Sequence, residues 1–274
     1  MRNVLPSEVK DSYLSFKLLE DVMNLPAHSR DELIAQTTIL RIGPLVEHTY
    51  HHYGQNNNPV LSGRSISKQA NVLAQALNLP SLKHSPQITS LAPRSFEFLR
   101  TPQMDEEFDI PNWYAFCKRL ENAVSKAGFE KGYAQALAGT FEEMVSNVYE
   151  HCGRRNTGIA GYRQYGNEFE YVVSDAGIGV LASLQQNSDY NHILDSGQAL
   201  ATAVKDGETR HGKGSGHGVG FNRLLNIAKR RSYLRFRSGD HCYVIDGTQQ
   251  PPNLRIASCA AFEGFLISIV CRLT

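Results

Sequence analysis

The sequence predicts an α+β fold, a two-layer sandwich with helices on one face of a mixed sheet, preceded by a mostly helical N-terminal region. Three observations lead there. Apolar residues recur every three to four positions before residue 80 and again between residues 113 and 148. Short alternating runs begin after Gly158, separated by polar and glycine-bearing segments. From residue 106 the order reads helix, helix, strand, strand, polar flap, helix and three strands, which favours helices gathered on one side of a sheet.

In the first 105 residues, Val9, Tyr13, Phe16 and Leu19 fall near a 3.6-residue period, as do Leu33, Thr37 and Leu40. Gly54 to Pro59 is a loop by composition. Ser65 is a cap for a helix carrying Val72, Leu73, Ala76 and Leu77 that ends before Pro80. Pro86, Pro93, Pro102 and Pro111 punctuate a stretch with few periodic signals, and a boundary near residue 105 divides the chain into 1–105 and 106–274. Beyond it, Asn112 precedes a helix lined by Trp113, Phe116, Leu120 and Val124, which Gly128 is placed to end. A second helix runs from about Lys131 to Cys152, burying Leu137, Phe141, Met144, Val145 and Val148. Strands are expected at 158–165 and 168–174, then 233–237, 242–245 and 265–272. The polar segment from Val180 to His211 reads as a flap with a short helix around Gln198 to Val204. Phe221, Leu224, Leu225 and Ile227 give the helix after it.

Composition narrows the function classes. A hydrophobic fraction of 41% and a charged fraction of 20% describe an ordinary soluble globular protein. A net charge of +1 supplies no field that would steer the chain onto nucleic acid. Five scattered cysteines without a Cys-x-x-Cys pair argue against a disulfide framework or a thiolate zinc site. No secretion signal and no membrane-spanning run is visible, so the cytoplasm is the expected compartment.

Three motifs carry chemistry. On a helix, Glu143, Asn147 and His151 stack along one face. The carboxylate can take a proton from an attacking water or hydroxyl, and the carboxamide oxygen suits Mg²⁺. A solvated polar stripe is the alternative. Asp175, followed by Gly177 and Gly179, ends a strand where its carboxylate can accept a hydrogen bond from an exocyclic amine, selecting adenine over guanine. A simple Asp-Ala-Gly turn is the alternative. The run Gly214, Gly216, Gly218 and Gly220 leads into a helix, with Arg210, His211 and Lys213 beside it, and suits phosphates. A flexible linker is the alternative; Walker and dinucleotide-fold patterns are absent.

Together these motifs, in this order, resemble the three nucleotide-binding boxes of the GHKL (histidine-kinase-like) ATPase superfamily, and are most similar to the anti-sigma factor serine kinases. The resemblance covers about residues 106–274. It implies a Bergerat-type ATP-binding fold with ATP and Mg²⁺ as cofactors. Glu143 would be the catalytic base, Asn147 the metal ligand and Asp175 the reader of the adenine amine. His151, Gly177, Gly179, Arg210, Lys213, Gly214, Gly216, Gly218 and Gly220 would complete the nucleotide site, with the flap as its lid. Two departures stand out. Gly264-Phe265 replaces the Gly-Thr usual there, removing a hydroxyl near the adenine, and the second glycine box begins at either Gly214 or Gly216.

The implied function is a Mg-ATP-binding regulatory protein, a serine/threonine kinase or anti-sigma-like switch with a protein partner or client. An ATPase that uses lid closure for dimerisation or partner remodelling is open, as is a nucleotide-binding module without turnover. A homodimer is compatible with each; no membrane is expected as a partner. Neither His28-Ser-Arg nor His48-Thr-Tyr has the surroundings of a phosphoacceptor histidine. Glu47, His48, His51 and His52 lack a further metal ligand and read as an amphipathic surface. Lys229, Arg230 and Arg231, with Arg235 and Arg237, read as a solvated helix end and an outward strand face, or as a patch for an acidic partner or nucleic acid.

Overall fold

The structure, a computed structural model, describes residues 15–22, 41–56, 88–91, 94–101, 110–153, 157–205 and 219–273. Its centre is a six-stranded sheet in the order β1-β2-β3-β4-β6-β5, formed by β1 (Ile88–Leu91), β2 (Arg94–Arg100), β3 (Ile159–Tyr165), β4 (Glu168–Asp175), β5 (Ser232–Asp246) and β6 (Asn253–Arg272). Every neighbouring pair is antiparallel. The expected mixed sheet is therefore corrected to an antiparallel one, and the α+β class stands.

One face is covered by α3 (Ile110–Lys126), α4 (Lys131–His151) and α7 (Val219–Ala228). In α4 the buried residues Ala134, Leu137, Ala138, Phe141, Val145 and Val148 repeat every three or four positions, which turns one continuous stripe toward the sheet. Phe141 stacks on Trp113 and Phe116 and meets the edge of Tyr171 on β4 at a centroid distance of 5.4 Å. Such rings each bury a large apolar area, worth about 1.5–3 kcal/mol per side chain.

The other face carries α1 (Phe16–Val22) and α2 (Ile42–Asn56), whose Phe16, Leu19, Leu45 and Val46 pack on Phe98, Val172 and Leu266. Helices thus cover both faces, whereas the sequence predicted one helical layer. Glu170, fully buried on β4, accepts from the backbone N–H of Ile42 (3.1 Å) and of Gly43 (2.8 Å), so a carboxyl group caps the buried amides that begin α2. Gly43 has no substitute there, because a Cβ would lie 2.4 Å from Ser268 Oγ on β6.

Buried charges occupy this second face. Arg235 on β5 donates from Nε and Nη2 to the Glu47 carboxylate at 3.0 and 3.2 Å and from Nη1 to Glu20 at 2.7 Å. Arg237 donates to the same Glu47 and to the Ala260 carbonyl. These arginines are about 1% exposed, which corrects the outward strand face: their acidic partner belongs to this chain. Lys229, Arg230 and Arg231 remain exposed. For the histidine segment, Glu47 and His48 are corrected likewise, being buried rather than on a surface, while the side chains of His51 and His52 lie outside the described residues.

Two further strands were not expected. β2 pairs along its length with β3, from Arg94 opposite Tyr165 to Arg100 opposite Ile159. Its Glu97 is fully buried, held by Arg119 of α3 at 2.7 and 3.0 Å and by the Tyr162 hydroxyl. Ladder and ion pair both run across the boundary placed near residue 105. The short strands expected at 233–237 and 242–245 are one strand, β5, with register shifts around Gly239.

The described part of the flap has its own structure. After α5 (Gly179–Leu184) comes a single 3₁₀ turn and then α6 (Ser196–Ala203), close to the helix expected from Gln198 to Val204. Asp195 caps α6 by accepting from Gln198 N at 2.8 Å. Leu184, Tyr190, Ile193 and Ala199 form a small apolar cluster of their own.

Candidate functional site

The core stripe of α4 fixes where its polar residues go. With Phe141, Val145 and Val148 against the sheet, Glu143, Asn147 and His151 fall along the flank of the helix, each half-buried. Glu143 borders a cleft of about 330 Å³ whose other lining residues are Trp113, Gly139, Glu142, Val145, Ser146 and Tyr149. Asn147 and His151 do not line this cleft. Asn147 Nδ2 lies 4.0 Å from Met144 Sδ, and His151 Nε2 lies 3.7 Å from the Glu150 carboxylate.

The end of α4 meets the end of β4. Ile178 N donates to the Cys152 carbonyl at 2.8 Å, so the turn after Asp175 is bonded directly to the C-terminus of the helix bearing Glu143 and Asn147. The approach is too close for any side chain at Gly177, where a Cβ would lie 1.9 Å from that carbonyl oxygen. Gly179 has φ +75°, a backbone region that favours glycine.

Asp175 itself is about 1% exposed. Its Oδ1 accepts from Gly177 N at 2.6 Å, while Oδ2, equally buried, has no hydrogen-bond partner among the described residues. Burial raises the carboxyl to about 7, opposed by the Gly177 and Phe265 amides. A buried acceptor left open in this way calls for a donor.

Gly264 and Ser238, the latter not singled out by the sequence, complete the turn. Ser238 Oγ donates to the Gly264 carbonyl at 2.7 Å and accepts from Val180 N at 2.9 Å. A hydroxyl therefore stands at this turn, although the Gly-Thr pattern is missing. Gly264 has φ +77°, and a Cβ there would lie 2.1 Å from the Asp175 carbonyl oxygen. No local signal marks Ser238, since it reaches the turn from β5 through sheet pairing alone.

Gly220 lies in the first turn of α7, which packs on α4 and β5. Arg210, Lys213, Gly214, Gly216 and Gly218 lie outside the described residues. The structure thus joins α4 to the Asp175–Gly179 turn and sets α7 beside α4. Among the described residues no group of three His, Cys, Asp or Glu is placed to hold a metal ion, and no helix is long and apolar enough to cross a membrane. Comparison with protein-family models, with curated proteins and with solved structures gave no match.

Proposed function

We propose that the chain is a Mg-ATP-binding regulatory protein of the GHKL type with a Bergerat-type core, acting as a serine/threonine kinase or anti-sigma-like switch. One observation carries this reading: the buried Oδ2 of Asp175, unpartnered among the described residues and held at a glycine turn bonded to the end of α4. An exocyclic amine satisfies that oxygen; the carbonyl of guanine at the same place would oppose it.

The residues fit a nucleotide as follows. Asp175 would hold the base, at a turn where Gly177 and Gly264 let neighbouring backbone pack closer than any side chain allows. Asn147 would be the protein's ligand to Mg²⁺, an ion that keeps several waters and takes phosphate oxygens, so a multi-carboxylate cluster is not required. Bound Mg-ATP would supply the transferable phosphoryl group. Glu143, which borders the cleft beside α3, would orient a hydroxyl and accept its proton. The glycine run and Lys213 would face the phosphates.

Calorimetric titration with Mg-ATP and Mg-GTP tests the first step. ATP is expected to bind about tenfold or more tightly than GTP, and Asp175→Asn to narrow that ratio by adding a donor for the guanine carbonyl. Equal affinities in the parent chain would overturn the Asp175 assignment. Incubation with γ-labelled ATP, alone and with cell extract, then separates the classes. Label on a protein supports the kinase, free phosphate the ATPase, and neither the module without turnover. Glu143→Ala is expected to abolish turnover while leaving binding intact.

A further inference from the structure

Cys242 on β5 and Cys259 on β6 were scattered positions in the sequence, but the sheet brings them together. Cys242 stands opposite Ala257 and His241 opposite Ser258, which makes Cys259 the diagonal neighbour of Cys242 on one face of the ladder. The register shift between Gly239 and His241 falls beside this pair, and the two thiols are in hydrogen-bond contact. Arg235 Nη1 lies 3.4 Å from Cys242 Sγ. Cys242 is 1% exposed and Cys259 half-buried.

We propose that Cys242 and Cys259 are a reversible redox pair, closed to a disulfide by a small peroxide and reopened by a thiol reductant. The inference is independent of nucleotide binding.

The neighbours of the two sulfurs give them different roles. The Cys259 thiol hydrogen bond and the Arg235 charge lower Cys242, against burial and the Glu20 and Glu47 carboxylates. Cys259 moves the opposite way, raised by the same hydrogen bond and by burial. The Arg235 guanidinium, 3.4 Å from Cys242 Sγ, favours a thiolate there, which makes Cys242 the attacking sulfur and Cys259 the resolving thiol. The Cys242 sulfur attacks hydrogen peroxide, the O–O bond breaks and hydroxide leaves, giving a sulfenic acid. The Cys259 sulfur then attacks that sulfur, the S–O bond breaks and water leaves with the Cys259 proton. Two electrons pass from the thiol pair to the peroxide. A buried thiolate favours so small an oxidant.

Cys117 and Cys271 lack this setting. Burial and the adjacent Glu142 push Cys117 up, and burial pushes Cys271 up to about 11.

The test treats the full chain with hydrogen peroxide, alkylates the remaining thiols and maps tryptic peptides without reduction. Peptides 238–255 and 256–272 are expected to appear joined, and fragmentation to place the link at Cys259 rather than Cys271. Dithiothreitol should separate them. In Cys259→Ser a sulfenic acid should persist at Cys242 and be captured by dimedone; in Cys242→Ser, loss of the Cys259 thiol should slow roughly tenfold. Linkage through Cys271, earlier oxidation of Cys117 or Cys152, or unchanged free thiols would overturn the proposal. Should Cys242→Ser not fold, dimedone capture in Cys259→Ser decides alone, and its absence counts against the pair.

Discussion

The two faces of the sheet are held by different forces. Against α3, α4 and α7 the contacts are apolar and aromatic, with Phe116, Phe141, Tyr162 and Tyr171 at the centre. Against α1 and α2 the apolar contacts share space with Glu47, Arg235, Arg237 and Glu170, all buried. Apolar packing drives association without demanding one alignment. A buried ion pair adds little net stability, because desolvation offsets its attraction, but breaking it leaves an uncompensated charge. The first face therefore supplies cohesion, and the second defines where α2 must sit.

The largest effects should come from breaking each face in its own way. Phe141→Ala is expected to cost about 3–5 kcal/mol in urea unfolding, the range for emptying an aromatic core position. Glu47→Gln should cost a similar amount, about 3–5 kcal/mol, by leaving Arg237 buried without its carboxylate partner and Arg235 with Glu20 alone. The rescue separates the two mechanisms. Replacing Glu47, Arg235 and Arg237 together by Met should recover most of the second loss; a triple variant as weak as Glu47→Gln would mean that the charges contribute attraction beyond their desolvation.

Asp175 sharpens the comparison through pH. Its carboxyl is raised to about 7 in the fold from an ordinary 3.8, so between those values the folded chain binds a proton that the unfolded chain has released. Its contribution to stability therefore falls as pH rises from about 4 to about 7 and is level above that, by on the order of 4 kcal/mol if the full shift holds. Urea midpoints of the parent chain and Asp175→Asn, followed across this window, should differ in slope; identical slopes would show an Asp175 carboxyl that titrates normally.

The smallest effect is expected at the start of α2. Glu170→Gln keeps one acceptor oxygen and loses the other, at a cost of about 1 kcal/mol. Amide exchange at Ile42 and Gly43 should quicken while that in α4 does not change.

What could be read from the sequence follows from these same forces. The helices α3, α4 and α7 and the strands β3 and β4 show in their periodicity, because one side of each meets apolar core. β2 escaped because its flanking prolines read as a loop and because Glu97, a charged residue in the middle of the run, is buried against Arg119. Arg235 and Arg237 alternate with Leu234 and Phe236, a pattern that normally places arginine in water; only the docking of α2 turns that surface into interior. The Asp175 turn was marked by its own glycines. Ser238 was not, since its role there arises from a bond between β5 and β6 that no local pattern encodes.

One adjacency on β5 has a mechanical consequence. Arg237 grips Glu47 of α2, and the next residue, Ser238, holds the amide of Val180 beside the Asp175 turn. Lifting α2 away would unload the strand one peptide bond from that grip, so the outer helix and the glycine turn share a lever although they lie on different elements.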